Sequence, residues 1–502
     1  MLILPCSRCS DARLIVCHAS DAYRKGRNTA KREDDCMNTC TGIRAGVTLV
    51  VLLVLASCDT LVGSGTSGNS SSSDSSIGQG LWTWLSGSNI PGRSGVYGTQ
   101  GVATSGNVPG ARTGATSWND NDGNFWLFGG FGRGADGSLG DLNDLWRFDG
   151  RNWIWVSGNF GPGDSGAYGT RGVASAANNP PARRGGASWI DRDGNLWLFG
   201  GSRFSVNGPV RFNDLWRFDG ADWTWISGDD GINQAGIYGE VGIPAIVNVP
   251  GARESAVAWV DSGGHFWLFG GAGFDSAGTA GDLNDLWRFD GLNWTWVSGD
   301  NSANVSGEYP VEGPSLVERP PGPGGRNGAA GWIDGNDNLW VFGGLGRDGD
   351  GTRGRLNDLW YFDGSDWFWV SGADTVDQIG EYGTVGVGGP DNEPGSRSAV
   401  AHWTDDSNRF WLFGGFGFDS VGADGQLNDL WYFNGSVWTW VSGADTVHRP
   451  GVYGEQGVPI SGNVPGARDD AAAWMSRDGD LWLFGGRTAS NLGNNDLWRF
   501  RK

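Results

Sequence analysis

Trp126-Leu127-Phe128-Gly129-Gly130, then Asn143-Asp144-Leu145-Trp146-Arg147-Phe148-Asp149, then Trp153-Ile154-Trp155-Val156-Ser157-Gly158: these runs decide the fold, because the chain repeats them. The marker Trp-x-Trp-[Val/Ile/Leu]-Ser-Gly begins at Trp82, Trp153, Trp223, Trp294, Trp367 and Trp438. The intervals are 71, 70, 71, 73 and 71 residues. Each unit also carries a Tyr-Gly or Tyr-Pro, a Pro-x-x-Arg (Pro109 to Arg112 in the first), a small-residue stretch ending in Trp, and Trp-[Leu/Val]-Phe-Gly-Gly. Five tryptophans in each of six units account for all 30, so tryptophan here belongs to the framework.

Residue type and period give four strands per unit. The first is a small-residue strand ending in Trp118; the others are Phe125–Phe128, Leu145–Phe148 and Trp153–Val156. All are short, aromatic or aliphatic, and bounded by Gly, Asp and Asn. No stretch keeps a 3.6-residue apolar period long enough for a helix. The second strand is apolar throughout, which requires both faces to be covered. The first is built of Ala, Gly and Ser, as expected where several sheets crowd around an axis. Radial repetition of four-stranded sheets satisfies both demands. The repeats begin with a fourth strand (Leu81–Leu85) and end after a third (Leu497–Phe500). An open stack leaves both pieces as unpaired edges, whereas a ring pairs them. The expectation is an all-β, six-bladed β-propeller in which the N-terminal strand completes the last blade.

Composition agrees. Ninety glycines in 502 residues would suggest low complexity, but 30 Trp and 23 Phe do not belong in a disordered chain. Buried aromatics on this scale imply a large ordered core, and the glycines then mark turns. The formal charge is −20; the first 58 residues hold 8 of the 36 basic and 5 of the 56 acidic residues, leaving a net −23 for the remainder. Lys502 is the only lysine in that remainder. So acidic a body argues against nucleic acid as a partner. All six cysteines lie within the first 58 residues, so the body has no disulfide, thiolate ligand or cysteine nucleophile.

The quoted runs resemble the kelch repeat: an aromatic strand ending in Gly-Gly, an aromatic-Asp strand, then Trp. The resemblance covers residues 81–502 and implies a propeller similar to the central domain of galactose oxidase. The period departs from it, at 70 residues against about 50. The excess is an insert of about 20 residues, such as Ser88 to Val108, between the fourth strand and the next unit's first. Upstream, the apolar run Ala45 to Leu55 is too short to span a bilayer and suits a signal-peptide core. The following Leu55-Ala56-Ser57-Cys58 resembles the lipobox of bacterial lipoproteins, which implies acylation of Cys58 as the mature N-terminus. A start at Met37 gives a signal peptide of ordinary length. The expected organisation is a leader over 1–58, a Ser/Gly-rich tether over 59–80 and the propeller over 81–502, lipid-anchored at a bacterial cell envelope.

Candidate functional residues follow from this plan. The 2–3 loops and the long inserts share one face, and loops of such length usually carry function. The repeated Tyr97, Tyr168, Tyr238, Tyr382 and Tyr453 point instead to packing of the inserts. Arg112, Arg183, Arg253, Arg326, Arg397 and Arg468 open each first strand. In kelch propellers that position often contributes to a ligand pocket. The competing expectation pairs each arginine with the Asn-Asp aspartate: Asp144, Asp214, Asp285, Asp358, Asp429 or Asp496. Carboxylates in the 2–3 loops (Asp136, Asp141, Asp275, Asp282, Asp348, Asp350, Asp419, Asp424) reproduce no known calcium-ligand spacing. Residues that break the repeat include His265, His402, His448, and Glu312, Glu318 and Arg319 of the fourth insert. Of these, Glu318, Arg319, His402 and His448 join the six arginines as candidate binding residues.

Three functions compete. The first is a non-catalytic binding module for a protein or glycan, using the insert face and no cofactor. The second is a structural envelope component. The third is a carbohydrate-active enzyme. The radical copper site of galactose oxidase needs a Tyr–Cys crosslink and histidine ligands, which a cysteine-free body with dispersed histidines does not supply. Sialidase-type catalysis calls for an arginine triad, a tyrosine and an acid, and here arginine and tyrosine are tied to the repeat. Fold does not dictate function, and binding ranks first.

Overall fold

The structure, a computed structural model, describes residues 80–310 and 320–502. Hairpin chemistry starts each blade. In the first 1–2 turn, Asp120 Oδ1 accepts from the Asp122 and Asn124 amides, and its Oδ2 accepts from Asn124 Nδ2 and Trp126 Nε1. Asp149 does the same for the 3–4 turn, accepting from the Arg151 and Asn152 amides. Such side-chain-to-backbone bonds are why Asp and Asn favour turns. Blade 1 comprises Thr116–Asn119, Phe125–Arg133, Leu139–Phe148 and Trp153–Ser157, antiparallel in that order. Trp118 lies opposite Trp126, and Trp146 opposite Trp155. The first strands of successive blades contact one another around the axis.

The core is divided among six wedges. One joins Trp118, Trp126, Phe128 and Leu145 of blade 1 to Leu198, Trp216, Phe218 and Trp223 of blade 2. Five others join the remaining neighbours in the same manner. No sheet hides its apolar faces alone, so burial and assembly of the ring are one event. Polar bonds cross the wedges too: Trp118 Nε1 donates to the Trp197 carbonyl at 3.0 Å, and Trp474 of blade 6 to that of Trp126 in blade 1 at 3.2 Å.

Closure is direct. Leu81–Ser86 pairs antiparallel with Leu497–Arg501, Trp82 facing Phe500, and is the outermost strand of the sheet holding Leu481–Phe484 and Ala472–Met475. At the axis, six backbone bonds run head to tail: Gly185 to Gly114, Ser255 to Gly185, Gly328 to Ser255, Ala399 to Gly328, Asp470 to Ala399, and Gly114 to Asp470, with N···O distances of 2.7–3.0 Å. One residue from each blade enters this ring, and each has a positive φ between 52° and 63°.

The second and third strands run further than the sequence indicates. Read as ending at Phe128 and resuming at Leu145, they continue to Arg133 and start at Leu139, with a register shift between Phe128 and Gly130. Gly129 and Gly130 hold φ of 64° and 92°, and a Cβ on Gly129 would sit 2.5 Å from the Arg183 carbonyl. The glycine pair bulges the strand and restarts it at a new angle. Beyond it the Gly-rich sequence loses its apolar pattern, so strand signals fade although pairing continues. In blades 2 and 5 the distal hairpin separates from the main sheet at this bulge.

Trp82 is 2% exposed and packs on Phe413 and Phe500 at ring distances of 5.3 and 5.2 Å. Trp82→Ala is expected to destabilise by about 3–5 kcal/mol, as much as Trp153→Ala at the equivalent place in blade 1. Denaturant unfolding of the two variants side by side checks this, and a near-neutral Trp82→Ala would mean the strand does not seal the ring.

Candidate functional site

The repeated arginines and aspartates lie directly beneath the axial mouth on the insert face. Arg112 is 1% exposed, and its Nη1 and Nη2 donate to Asp144 Oδ1 and Oδ2 at 2.8 and 2.7 Å. Nη1 also donates to the Gly129 carbonyl and Nε to that of Gly110. Asp144 Oδ2 accepts in addition from Tyr97 Oη and Trp146 Nε1, at 2.6 and 2.7 Å. The same pair recurs at Arg183–Asp214, Arg253–Asp285, Arg326–Asp358, Arg397–Asp429 and Arg468–Asp496. Burial opposes the charge on Arg112, but Asp144 more than offsets it, leaving the guanidinium above its ordinary pKa. Burial, then the Asp144 charge, push the Tyr97 hydroxyl well up. The tyrosines thus tie the inserts down, including Tyr309 of the fourth, whose hydroxyl bonds Asp358.

The residue after each buried arginine differs in every blade: Thr113, Arg184, Glu254, Asn327, Ser398 and Asp469. These positions rim the mouth and pair around it. Arg184 lies 3.9 Å from Asp141 of blade 1. Glu254 accepts from Arg211 and from Ser202 Oγ of blade 2. Asn327 Nδ2 donates to Asp282 of blade 3 at 2.7 Å, and Arg353 bonds the same carboxylate. Asp469 is paired with Arg487. Beside three of them, Thr113, Arg184 and Glu254, opens a cavity of about 420 Å³, lined also by Phe131, Arg133, Phe204, Asp470, Arg487 and Leu492.

Asp470 is the odd member of the axial ring. Its counterparts are Gly114, Gly185, Ser255, Gly328 and Ala399. A left-handed φ of 52° suits glycine; an aspartate tolerates it at some cost. Burial raises its pKa to about 7; Asp469 and Glu254 add to the shift, while Arg487 and Arg184 oppose it.

A larger cavity, about 620 Å³, lies at the seam beside Leu81, Trp82, Val441 and Asn463. The asparagine clamp seen in four blades is absent here. Asn107, Asn178, Asn248 and Asn392 each donate to the carbonyl of the outer-strand tryptophan, whereas Asn463 bonds the Val458 carbonyl of its own insert. Its walls mix repeated residues such as Trp82 and Gly443 with variable ones such as Ala444 and Arg449.

The three body histidines occupy separate environments. His265 pairs with Asp261 inside its own 1–2 turn. His402 sits on an axial strand, 6.0 Å from Trp332, where other blades have Ser, Ala or Gly, and burial pushes its pKa down to about 4. The His448 amide bonds the Gln426 carbonyl at the insert face. Asp275, Asp348 and Asp419 accept amides of their own loops and of the following inserts at Ala303, Val376 and Val447. Cys58, Glu312, Glu318 and Arg319 lie outside the described residues. Sequence reasoning followed the constant arginines and passed over Arg184 and Asp470. The signal was present, as one variable column next to an invariant one.

The Gly-Gly bulge, the Asn-Asp pair and the Trp-x-Trp rim occupy equivalent places in all six blades. The fold is that of a kelch-type propeller. No family model and no curated protein matches the sequence. Among solved structures the chain is similar to one titled as the structure of YjhT, at 15% identity and a TM-score of 0.45, over 78% of this chain and 95% of that one. It is also similar to a fungal alcohol oxidase in complex with copper, at 12% identity and a TM-score of 0.40, over 81% and 76%.

A carboxyl with its folded pKa raised above the unfolded value opposes folding once ionised, so its cost grows as pH rises from about 4 to about 7. Asp470→Gly also restores the ring residue of blades 1, 2 and 4. The variant is expected to be more stable than the parent, by a margin that widens across that window and is constant above it. Thermal unfolding from pH 4 to 9 reads this directly; a margin flat with pH would count against it.

Proposed function

We propose that this chain is a non-catalytic binding module, displayed at a bacterial cell envelope through an acylated Cys58, whose ligand seats at the axial mouth on the insert face. One observation carries the reading: residues constant in all six blades satisfy one another below the surface, while Thr113, Arg184, Glu254 and Asp470, which differ from their counterparts, line the cavity at the mouth. A framework alone has no use for Thr, Arg, Glu, Asn, Ser and Asp at six equivalent rim positions. The cavity has apolar walls (Phe131, Phe204, Leu492) and a few convergent polar groups, the usual make-up of a small-ligand site. Of the glycan and protein partners expected from the sequence, it suits a small polar group, free or at the end of a larger molecule. The seam cavity, with Arg449 as the one charged side chain in its lining, is the weaker candidate. Catalysis has no comparable support, with His265, His402 and His448 in three separate settings.

The compact unit Asp74–Lys502 contains every strand of the ring and can be used alone. On a glycan array and in envelope pull-downs, Arg184→Ala is expected to weaken specific retention at least about tenfold, the effect of losing one charge-assisted bond. Leu292→Ser, in an exposed 3–4 turn on the other face, is expected to leave it unchanged. Retention that survives Arg184→Ala but is lost with Leu292→Ser would move the working surface to the opposite face.

A further inference from the structure

Most charged groups at the mouth are already occupied. Both Glu254 carboxylate oxygens accept bonds, Oε1 from Arg211 and Oε2 from Ser202. Both Asp469 oxygens are taken by Arg487. Arg133 Nη1 donates to the Gly137 carbonyl. Two side chains in the cavity are different. The Arg184 guanidinium makes no hydrogen bond to the described residues; it lies 3.7 Å over the Phe204 ring and 5.3 Å from that of Phe131. The Asp470 carboxyl makes neither a hydrogen bond nor an ion pair among them, although it occupies a ring position where five blades have Gly, Ser or Ala. A guanidinium held only by a 3.9 Å ion pair to Asp141 and by ring contacts, with its hydrogen-bond donors free among the described residues, and a carboxyl without a partner among them therefore face a single cavity.

From this we propose that the mouth recognises a small zwitterion of the amino-acid type, its carboxylate taken by Arg184 and its ammonium by Asp470, with any apolar side chain against Phe131, Phe204 and Leu492. The inference rests on the binding reading above and names its ligand class. Stacking on Phe204 pre-orients the planar fork of Arg184 for a carboxylate, so little freedom is lost on binding. The Asp470 carboxyl is half-buried and opens to the cavity without a partner among the described residues, so a ligand ammonium can reach it and take up its free acceptor capacity. Partner charges facing Asp470 are Asp469, Arg487, Arg184 and Glu254. An ammonium beside it favours the ionised form, so binding expels the proton that Asp470 holds in part near neutrality.

The test is calorimetric titration of Asp74–Lys502 with the twenty common L-amino acids, and for leucine with its two halves, 4-methylpentanoate and 3-methylbutylamine. At least one apolar amino acid is expected to bind, and each half of leucine to bind about tenfold to a hundredfold more weakly than leucine itself. Asp470→Gly, which keeps the ring and the fold, should make leucine bind no better than 4-methylpentanoate. Arg184→Ala should reduce it to the level of 3-methylbutylamine. Parent affinity should weaken at least about tenfold from pH 8 to pH 5, and that dependence should vanish in Asp470→Gly. The inference is overturned if no amino acid binds, or if leucine and 4-methylpentanoate bind the parent alike. A neutral glycan retained through Arg184 but indifferent to Asp470→Gly overturns the zwitterion and leaves the mouth as the site. Retention indifferent to both variants removes the mouth as well.

Discussion

A guanidinium and a carboxylate sealed away from water organise this molecule six times over. Arg112 and Asp144 bring together four stretches that the chain alone would not align: the insert through Tyr97, the axial strand through Arg112, the glycine bulge through the Gly129 carbonyl, and the third strand through Asp144 and Trp146. Net stability is not the main contribution, since desolvating two charges takes back most of their attraction. Direction is. The wedges are filled with Trp, Phe and Leu, which tolerate sliding, and a strand slipped by one residue would still bury aromatic surface. A bidentate pair with every donor and acceptor assigned does not survive such a slip. We read it as the register device of each blade, and its recurrence as the reason six blades of differing sequence superimpose.

Fixing that register sets the height of the next residues along the axial strand. One step beyond the arginine lies the rim position, and two steps beyond lies the ring residue. Because all six arginines stand level, the six ring residues meet head to tail and close the axis with backbone alone. The rim side chains then project above a floor that needs nothing from them. This separation gives the rim its freedom. Thr113, Arg184, Glu254, Asn327, Ser398 and Asp469 vary without disturbing the wedges, and their pairings with neighbouring blades follow whichever charges happen to face.

The framework was legible because it repeats. Blade number, strand order, the closing role of Leu81–Ser86 and the Arg–Asp pairing all follow from positions that recur, which a single sequence displays by internal comparison. Two features were not. The distal hairpins, Gly130–Arg133 against Leu139–Leu142 in blade 1, carry no alternation of apolar residues, because one side faces the mouth and the other the insert. Asp470 looked like one more carboxylate in an acidic protein. Its importance comes from a left-handed backbone position shared with Gly114 and Gly185, which no composition or period announces. Repetition reveals what is common to the blades; a site made of their differences appears only when the blades are set around one point.

That point is where an asymmetric site in a symmetric frame has to form. A side chain at the rim of the disc meets only its neighbours, whereas one near the axis shares a space with counterparts from all six blades. A ligand seated there would contact several different residues without any blade altering its fold. The charge distribution narrows what such a ligand is. The body carries a net −23, and its field repels a free anion approaching from solvent. A cation is drawn to the whole surface and meets arginines at the mouth. A molecule with both charges and no net one is not turned away by the outer field, and its two ends would meet the Arg184 guanidinium and the Asp470 carboxyl proposed to hold them.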